Sequence, residues 1–124
     1  MEKDGFSAYC GIENVPDGDG YCTRVKVEPR HCNPYGIVHG GILYKMADTA
    51  AGYTARTLTK SPVTLNSDFH CLNNVSSGVL TARTEIVKAG RHILLLRVRV
   101  LADEQILLAE GTYTYYSDGK DHDR

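Results

Sequence analysis

The sequence predicts an α+β domain in which a curved antiparallel sheet wraps around one long central helix. Three observations predict it. A stretch after Gly41 repeats its apolar residues with helical spacing, the segments after Pro62 alternate apolar and polar residues, and hairpin-length connections join those segments. Short loops between consecutive strands require antiparallel pairing. One apolar helix against one alternating sheet makes a two-layer domain. At 124 residues the whole chain, 1–124, is expected to be one such domain.

Gly5 to Val15 carries Phe6, Tyr9, Ile12 and Val15 as its larger apolar residues and reads as a weak strand or a short helix. Pro16-Asp17-Gly18-Asp19-Gly20 is turn chemistry. Its aspartates lack the ligand ladder and closing Glu of a calcium loop. Tyr21 to Val27 alternates, with Tyr21, Thr23, Val25 and Val27 opposite Cys22, Arg24 and Lys26, which predicts a half-buried strand ended by Pro29. A polar loop, His31 to Gly36, leads through His39-Gly40-Gly41 into a helix from Ile42 to about Leu58. At ~100° per residue Leu43, Met46, Ala47, Ala50, Ala51, Thr54 and Leu58 share one face, with Lys45, Thr49 and Arg56 roughly opposite. Its many small residues invite close approach.

After Pro62, Val63 to Leu72 sets Val63, Leu65, Phe69 and Cys71 against Thr64, Asn66, Asp68 and His70. The turn Asn73 to Gly78 leads to a strand over Val79 to Lys88. Ala89-Gly90-Arg91 turns the chain into Ile93 to Leu101, and Ala102 to Glu104 turns it into Ile106 to Tyr116. Ser117 to Arg124 is charged and without pattern, and a frayed tail is expected there.

Composition removes several function classes. Lys plus Arg number 14 and Asp plus Glu 15, a net charge of −1, so no basic excess exists to grip a phosphate backbone and no nucleic-acid partner is expected. The longest aliphatic run, Ile93 to Leu96, falls far short of the ~20 residues that cross a bilayer. The start Met1-Glu2-Lys3-Asp4 is polar and no apolar stretch follows it. A cytoplasmic protein without a membrane partner is therefore expected. Cys10, Cys22, Cys32 and Cys71 are scattered, which suggests free thiols. The doublets His31-Cys32 and His70-Cys71 could name four zinc ligands, but adjacent residues rarely face one metal. No metal and no cofactor are called for.

The chemistry concentrates between Asn33 and Asp48. A helix entrance leaves backbone N–H groups unpaired and carries partial positive charge. Glycines at His39-Gly40-Gly41 let a ligand approach that backbone. The outcome is either a tight turn or a donor site for an oxygen that becomes negative in acyl transfer. Asp48 is the one acidic residue between Gly41 and Thr59. It lies about 120° from the centre of the apolar face, with no Lys or Arg four positions after it. A bare carboxylate there is a candidate general base or nucleophile. No G-x-S-x-G, P-loop, dinucleotide fingerprint or H-E-x-x-H competes.

His31-Cys32-Asn33-Pro34-Tyr35-Gly36-Ile37-Val38-His39-Gly40-Gly41, followed by Met46-Ala47-Asp48-Thr49-Ala50, closely resembles the hotdog-fold acyl-CoA thioesterases, nearest the PaaI-like, phenylacetate-pathway group. The resemblance implies a hotdog fold and hydrolysis of an acyl- or aryl-acyl-CoA. It makes Gly40 the residue whose N–H polarises the thioester carbonyl, with His39 and Gly41 shaping the turn. Asp48 becomes the general base or nucleophile, and Asn33 the amide that helps to hold the water or carboxylate. Arg91 resembles positions that meet the phosphates of coenzyme A. The family completes its active site with a second subunit, so a homodimer, and further a tetramer, is implied. Two departures stand out: Gly52 replaces a Ser or Thr frequent one turn after the carboxylate, and Asn66 stands where others carry Ser or Thr on the next strand, which leaves Asn66 or Thr64 as the third water-positioning group. The alternatives are an acyl-CoA binding or sensing module without turnover, and a hotdog dehydratase pairing His31 with Asp48.

Overall fold

The computed structural model describes residues 4–118. Chain order is α1 (Gly5–Cys10), β1 (Glu13–Asp17), β2 (Gly20–Lys26), a 3-10 turn (Pro29–His31), α2 (Gly40–Leu58), β3 (Val63–Cys71), β4 (Val79–Ala89), β5 (Ile93–Ala102) and β6 (Ile106–Tyr116). The six strands form one sheet in the order β1-β2-β4-β5-β6-β3, every pair antiparallel. β1 and β3 are the edges.

The N-terminal stretch holds both elements that its sequence allowed. Asp4 caps α1 by accepting the Ser7 N–H at 3.1 Å, and β1 begins three residues after the helix ends. Pro16 and Asp17 belong to β1 rather than to the turn, which shrinks to Gly18 and Asp19. On an edge strand a proline's missing N–H forfeits no ladder bond.

α2 begins at Gly40, two residues before the periodicity starts, because His39 is its cap. It lies against β2, β4, β5 and β6 and buries Leu43, Met46, Ala47, Ala50, Ala51, Thr54 and Ala55. Alanines dominate that face, so the sheet approaches the helix backbone closely. Hydrogen bonds tie the layers: Thr23 Oγ1 donates to the Met46 carbonyl at 2.8 Å, and the Tyr21 N–H donates to Thr54 Oγ1 at 3.0 Å. Thr49, expected on the open side, is only 5% exposed, since a helix enclosed by a curved sheet buries more than one stripe. On β5, Leu94, Leu96, Val98, Val100 and Ala102 alternate inward while Arg97 and Arg99 pair outside with Glu85 and Glu110.

β3 departs from plain alternation. Thr64 pairs with Tyr115 and Asn66 with Thr114, so Leu65 is bulged out of the ladder. A bulge shifts the side-chain phase by one residue. Thr64 therefore shares the α2-facing side with Tyr115, and beyond the bulge Ser67 and Phe69 take over that side, opposite Tyr113 and Gly111. Asn66 turns to the outer face with Thr114. Gly111 leaves room for this pairing: a Cβ there would lie 2.8 Å from the Phe69 ring and 2.9 Å from the Asp68 carbonyl. Val63 and Leu65, expected to face inward with Phe69, are 60% and 55% exposed.

Ser117, expected in the tail, is buried and donates its N–H to the His92 carbonyl at 2.8 Å. The rest of the expected tail, 119–124, lies outside the described residues. Among the described residues no helix is long and apolar enough to cross a membrane.

Candidate active site

The polar loop before α2 is built by its own asparagine. Asn33 Oδ1 accepts the Tyr35 N–H at 2.9 Å and the Ile37 N–H at 3.4 Å, while the Asn33 carbonyl accepts the Gly36 N–H at 2.9 Å. Gly36 sits at φ +83°, a conformation that side chains disfavour. The chain then anchors through His39, whose N–H donates to the His31 carbonyl at 2.8 Å.

His39 Nδ1 accepts the Gly41 N–H at 3.0 Å, and its carbonyl accepts the Ile42 N–H at 2.9 Å. The cap thus occupies Gly41. The Gly40 N–H, by contrast, meets no acceptor among the described residues. It opens on a cleft of about 220 Å³ lined by Asn33, Ile37, Val38, Gly40, Leu43 and Cys71 among others. An unclaimed donor at the positive end of a 19-residue helix is suited to stabilising a developing oxyanion. The structure therefore gathers Asn33, His39, Gly40 and Gly41 at one place.

Asp48 lies elsewhere. Eight residues along α2 from Gly40, it stands about 12 Å away along the axis. Its side is half-buried, and burial pushes its carboxyl above the usual range; Lys45 opposes that rise and Asp4 adds to it. Lys45 itself bonds Asp4 Oδ2 at 3.1 Å. Two phenols from β6, Tyr113 and Tyr115, face the same stretch of helix. Burial raises both hydroxyls far above the usual tyrosine range, and the Asp48 charge adds to the rise in each. Tyr44, one turn before Asp48, packs on Tyr113 at 5.9 Å between ring centroids and on Phe69 at 5.2 Å, and its hydroxyl pairs with Ser67 at 2.8 Å. A carboxylate with a raised pKa on an aromatic-walled flank is a stronger proton acceptor than an ordinary one.

The remaining expected residues are dispersed. Asn66 is on the outer face of β3, whereas Thr64 faces the Asp48 side. Arg91 is exposed in the β4–β5 turn. That turn is at the end of the sheet where Ile93 and Val63 both pair with Tyr116. Gly40 neighbours Cys71, at the opposite end of β3. Arg91 and Gly40 of one chain are therefore at opposite ends of the sheet. His31 is 2% exposed and spends both nitrogens: Nδ1 accepts the Glu28 N–H at 2.9 Å and Nε2 donates to the Cys10 carbonyl at 2.7 Å. It holds α1 in place and has no nitrogen left for a dehydratase pair or a metal.

Sequence reasoning passed over Tyr113 and Tyr115. Their signal was present in Thr112-Tyr113-Thr114-Tyr115, which places two polar-tipped aromatics on a core face where aliphatic residues would pack as well.

Residues 35–109 match the family model of the thioesterase superfamily. A Bacillus subtilis protein named "Putative esterase ComA2" is 30% identical over 103 residues, covering 79% of this chain and 82% of that protein. A hypothetical thioesterase from Streptococcus pneumoniae, solved with coenzyme A, superposes with a TM-score of 0.81 at 28% identity, over 94% of this chain and 95% of its own. A mutant of the phenylacetic acid degradation protein PaaI from Thermus thermophilus superposes at 0.83 with 25% identity, over 91% of this chain and 98% of its own.

Proposed function

We propose that this chain, which belongs to the thioesterase superfamily, hydrolyses an acyl- or aryl-acyl-CoA to the free acid and coenzyme A. Its fold is the hotdog fold. In the proposed reaction a water oxygen attacks the thioester carbonyl carbon as Asp48 accepts its proton. The carbonyl oxygen, negative in the tetrahedral intermediate, is held by the Gly40 N–H. The C–S bond then breaks and the coenzyme A sulfur leaves, taking a proton to become the thiol. In the covalent variant Asp48 attacks first and water releases the acyl group from it. Asn33 and the His39 cap fix the loop and the helix start that present Gly40. Arg91 meets coenzyme A phosphate.

The observation that carries this reading is Asp48, a half-buried carboxylate raised by desolvation on the flank of α2. The separation of about 12 Å between Asp48 and Gly40 in one chain adds a condition: each site combines Asp48 of one subunit with Gly40 of another. Arg91, remote from its own Gly40, fits the same condition. We place the chain in the PaaI-like group on its likeness to the Thermus thermophilus protein, and in the cytoplasm with its substrates.

The test is an acyl-CoA panel with a thiol reagent, run on parent and Asp48→Asn. Thiol release by the parent, reduced roughly 10²–10⁴-fold in the variant, is the expected result. Saturable binding without thiol release would make the chain a sensing module, and a variant retaining more than about a tenth of turnover would move the base elsewhere. Because burial makes the charged Asp48 costly to the fold, the amide should leave the Tm at pH 7 equal or higher.

A further inference from the structure

The Tyr115 hydroxyl has no account in the fold. Tyr115 is 3% exposed, its oxygen is buried, and among the described residues no group meets it in hydrogen-bond geometry. Thr64, its cross-strand neighbour, approaches as a hydrogen-bonding group and tempers the rise in its pKa, but outside good hydrogen-bond geometry. Leaving a buried hydroxyl unpaired destabilises a fold, and a phenylalanine would fill the same space without that cost.

Its position on α2 is specific. A Cβ on Gly52 would lie 3.9 Å from the Tyr115 oxygen. Gly52 is four residues after Asp48, hence one turn further along the same side of the helix. Gly52 carries no side chain to fill the turn that separates the phenol from Asp48. The carboxylate's charge reaches the phenol. A water placed between them would find a donor in the phenol and an acceptor in the carboxylate.

We infer that the Tyr115 hydroxyl is the positioning group that holds the water beside Asp48. The proposal rests on the reading of Asp48 as the group that activates water. The phenol keeps its proton throughout the working range and transfers nothing. It fixes the water oxygen over the Gly52 backbone so that one water hydrogen points at the Asp48 carboxylate. The same arrangement serves whether that water attacks the thioester or releases an acyl group from Asp48.

Two measurements on the assembled protein test this. In the parent crystal structure an ordered water should bond both the Tyr115 Oη and the Asp48 carboxylate, and Tyr115→Phe should lose it. The variant should keep its Tm and its KM for acyl-CoA while kcat falls about 10- to 100-fold, the loss of one hydrogen bond in a charged network. A kcat within about twofold of the parent's would overturn the proposal. So would a crystal structure in which the Tyr115 oxygen bonds a residue of either subunit and no water bridges it to Asp48. Should the parent hydrolyse no acyl-CoA, the functional reading falls, and the crystal structure alone still decides where Tyr115 points.

Discussion

Asp4 and Asp48 have one cation between them. Lys45 bonds Asp4 directly and reaches Asp48 only through space. The Ser7 hydroxyl and, more weakly, Lys45 hold the Asp4 carboxyl down to about 2. A depressed carboxylate contributes stability that is full above its ordinary pKa of 3.8 and is lost as pH falls towards about 2. Asp48 has the opposite sign, since its charged form is the costly one. Asp4→Asn removes a negative charge that raises Asp48 and frees Lys45, which lowers it. Both changes favour the Asp48 carboxylate. The acid limb of the kcat/KM profile should therefore move to lower pH in Asp4→Asn, with kcat at neutral pH little changed. A limb that stays in place or moves up would show that Lys45 does not couple the two carboxyls.

At the scale of elements, the sequence exposed most of what periodicity can carry. α2 and the four strands after it lie within a few residues of their expected limits because each buries one regular face. Legibility stopped where a local event breaks the period. The bulge at Leu65 exchanges the faces of β3, so Thr64 and Asn66, read as neighbours on one face, point to opposite sides. No composition signal marks that bulge. Asn33, Gly40 and Asp48 were legible as residues, and helical spacing alone set Asp48 about two turns beyond Gly40. Tyr113 and Tyr115 escaped because an inward tyrosine reads as core until its hydroxyl is found without a partner. The β4–β5 hairpin gives a prediction of its own. Arg91 is exposed and lies away from its own Gly40, and in the proposed function it meets only phosphate, a contact that would be equal in ground and transition states. Arg91→Ala should raise KM for acyl-CoA more than it lowers kcat. Unchanged kinetics would remove Arg91 from the site.

For the whole molecule, the edge of β3 joins fold to function. Nine residues long and paired only to β6, it presents Val63 and Leu65 largely exposed. Bare edges of that length and character invite pairing. Two identical antiparallel edges can close around a two-fold axis, the commonest symmetry of soluble oligomers. Under the proposed reaction the separation along α2 points the same way, because an Asp48 about 12 Å from its own Gly40 would need another chain's glycine to act on one carbonyl. Light scattering at micromolar concentration should find at least a dimer, and further a tetramer. Leu65→Lys would set like charges against each other across that axis and leave the monomer's core untouched, since Leu65 is bulged and exposed. Its mass should fall to one chain while far-UV circular dichroism is retained, and thioester hydrolysis should fall with the mass rather than with the fold. A monomeric Leu65→Lys that keeps parental turnover would place the whole site within one chain. In that case the distance between Asp48 and Gly40 would require a different donor for the oxyanion.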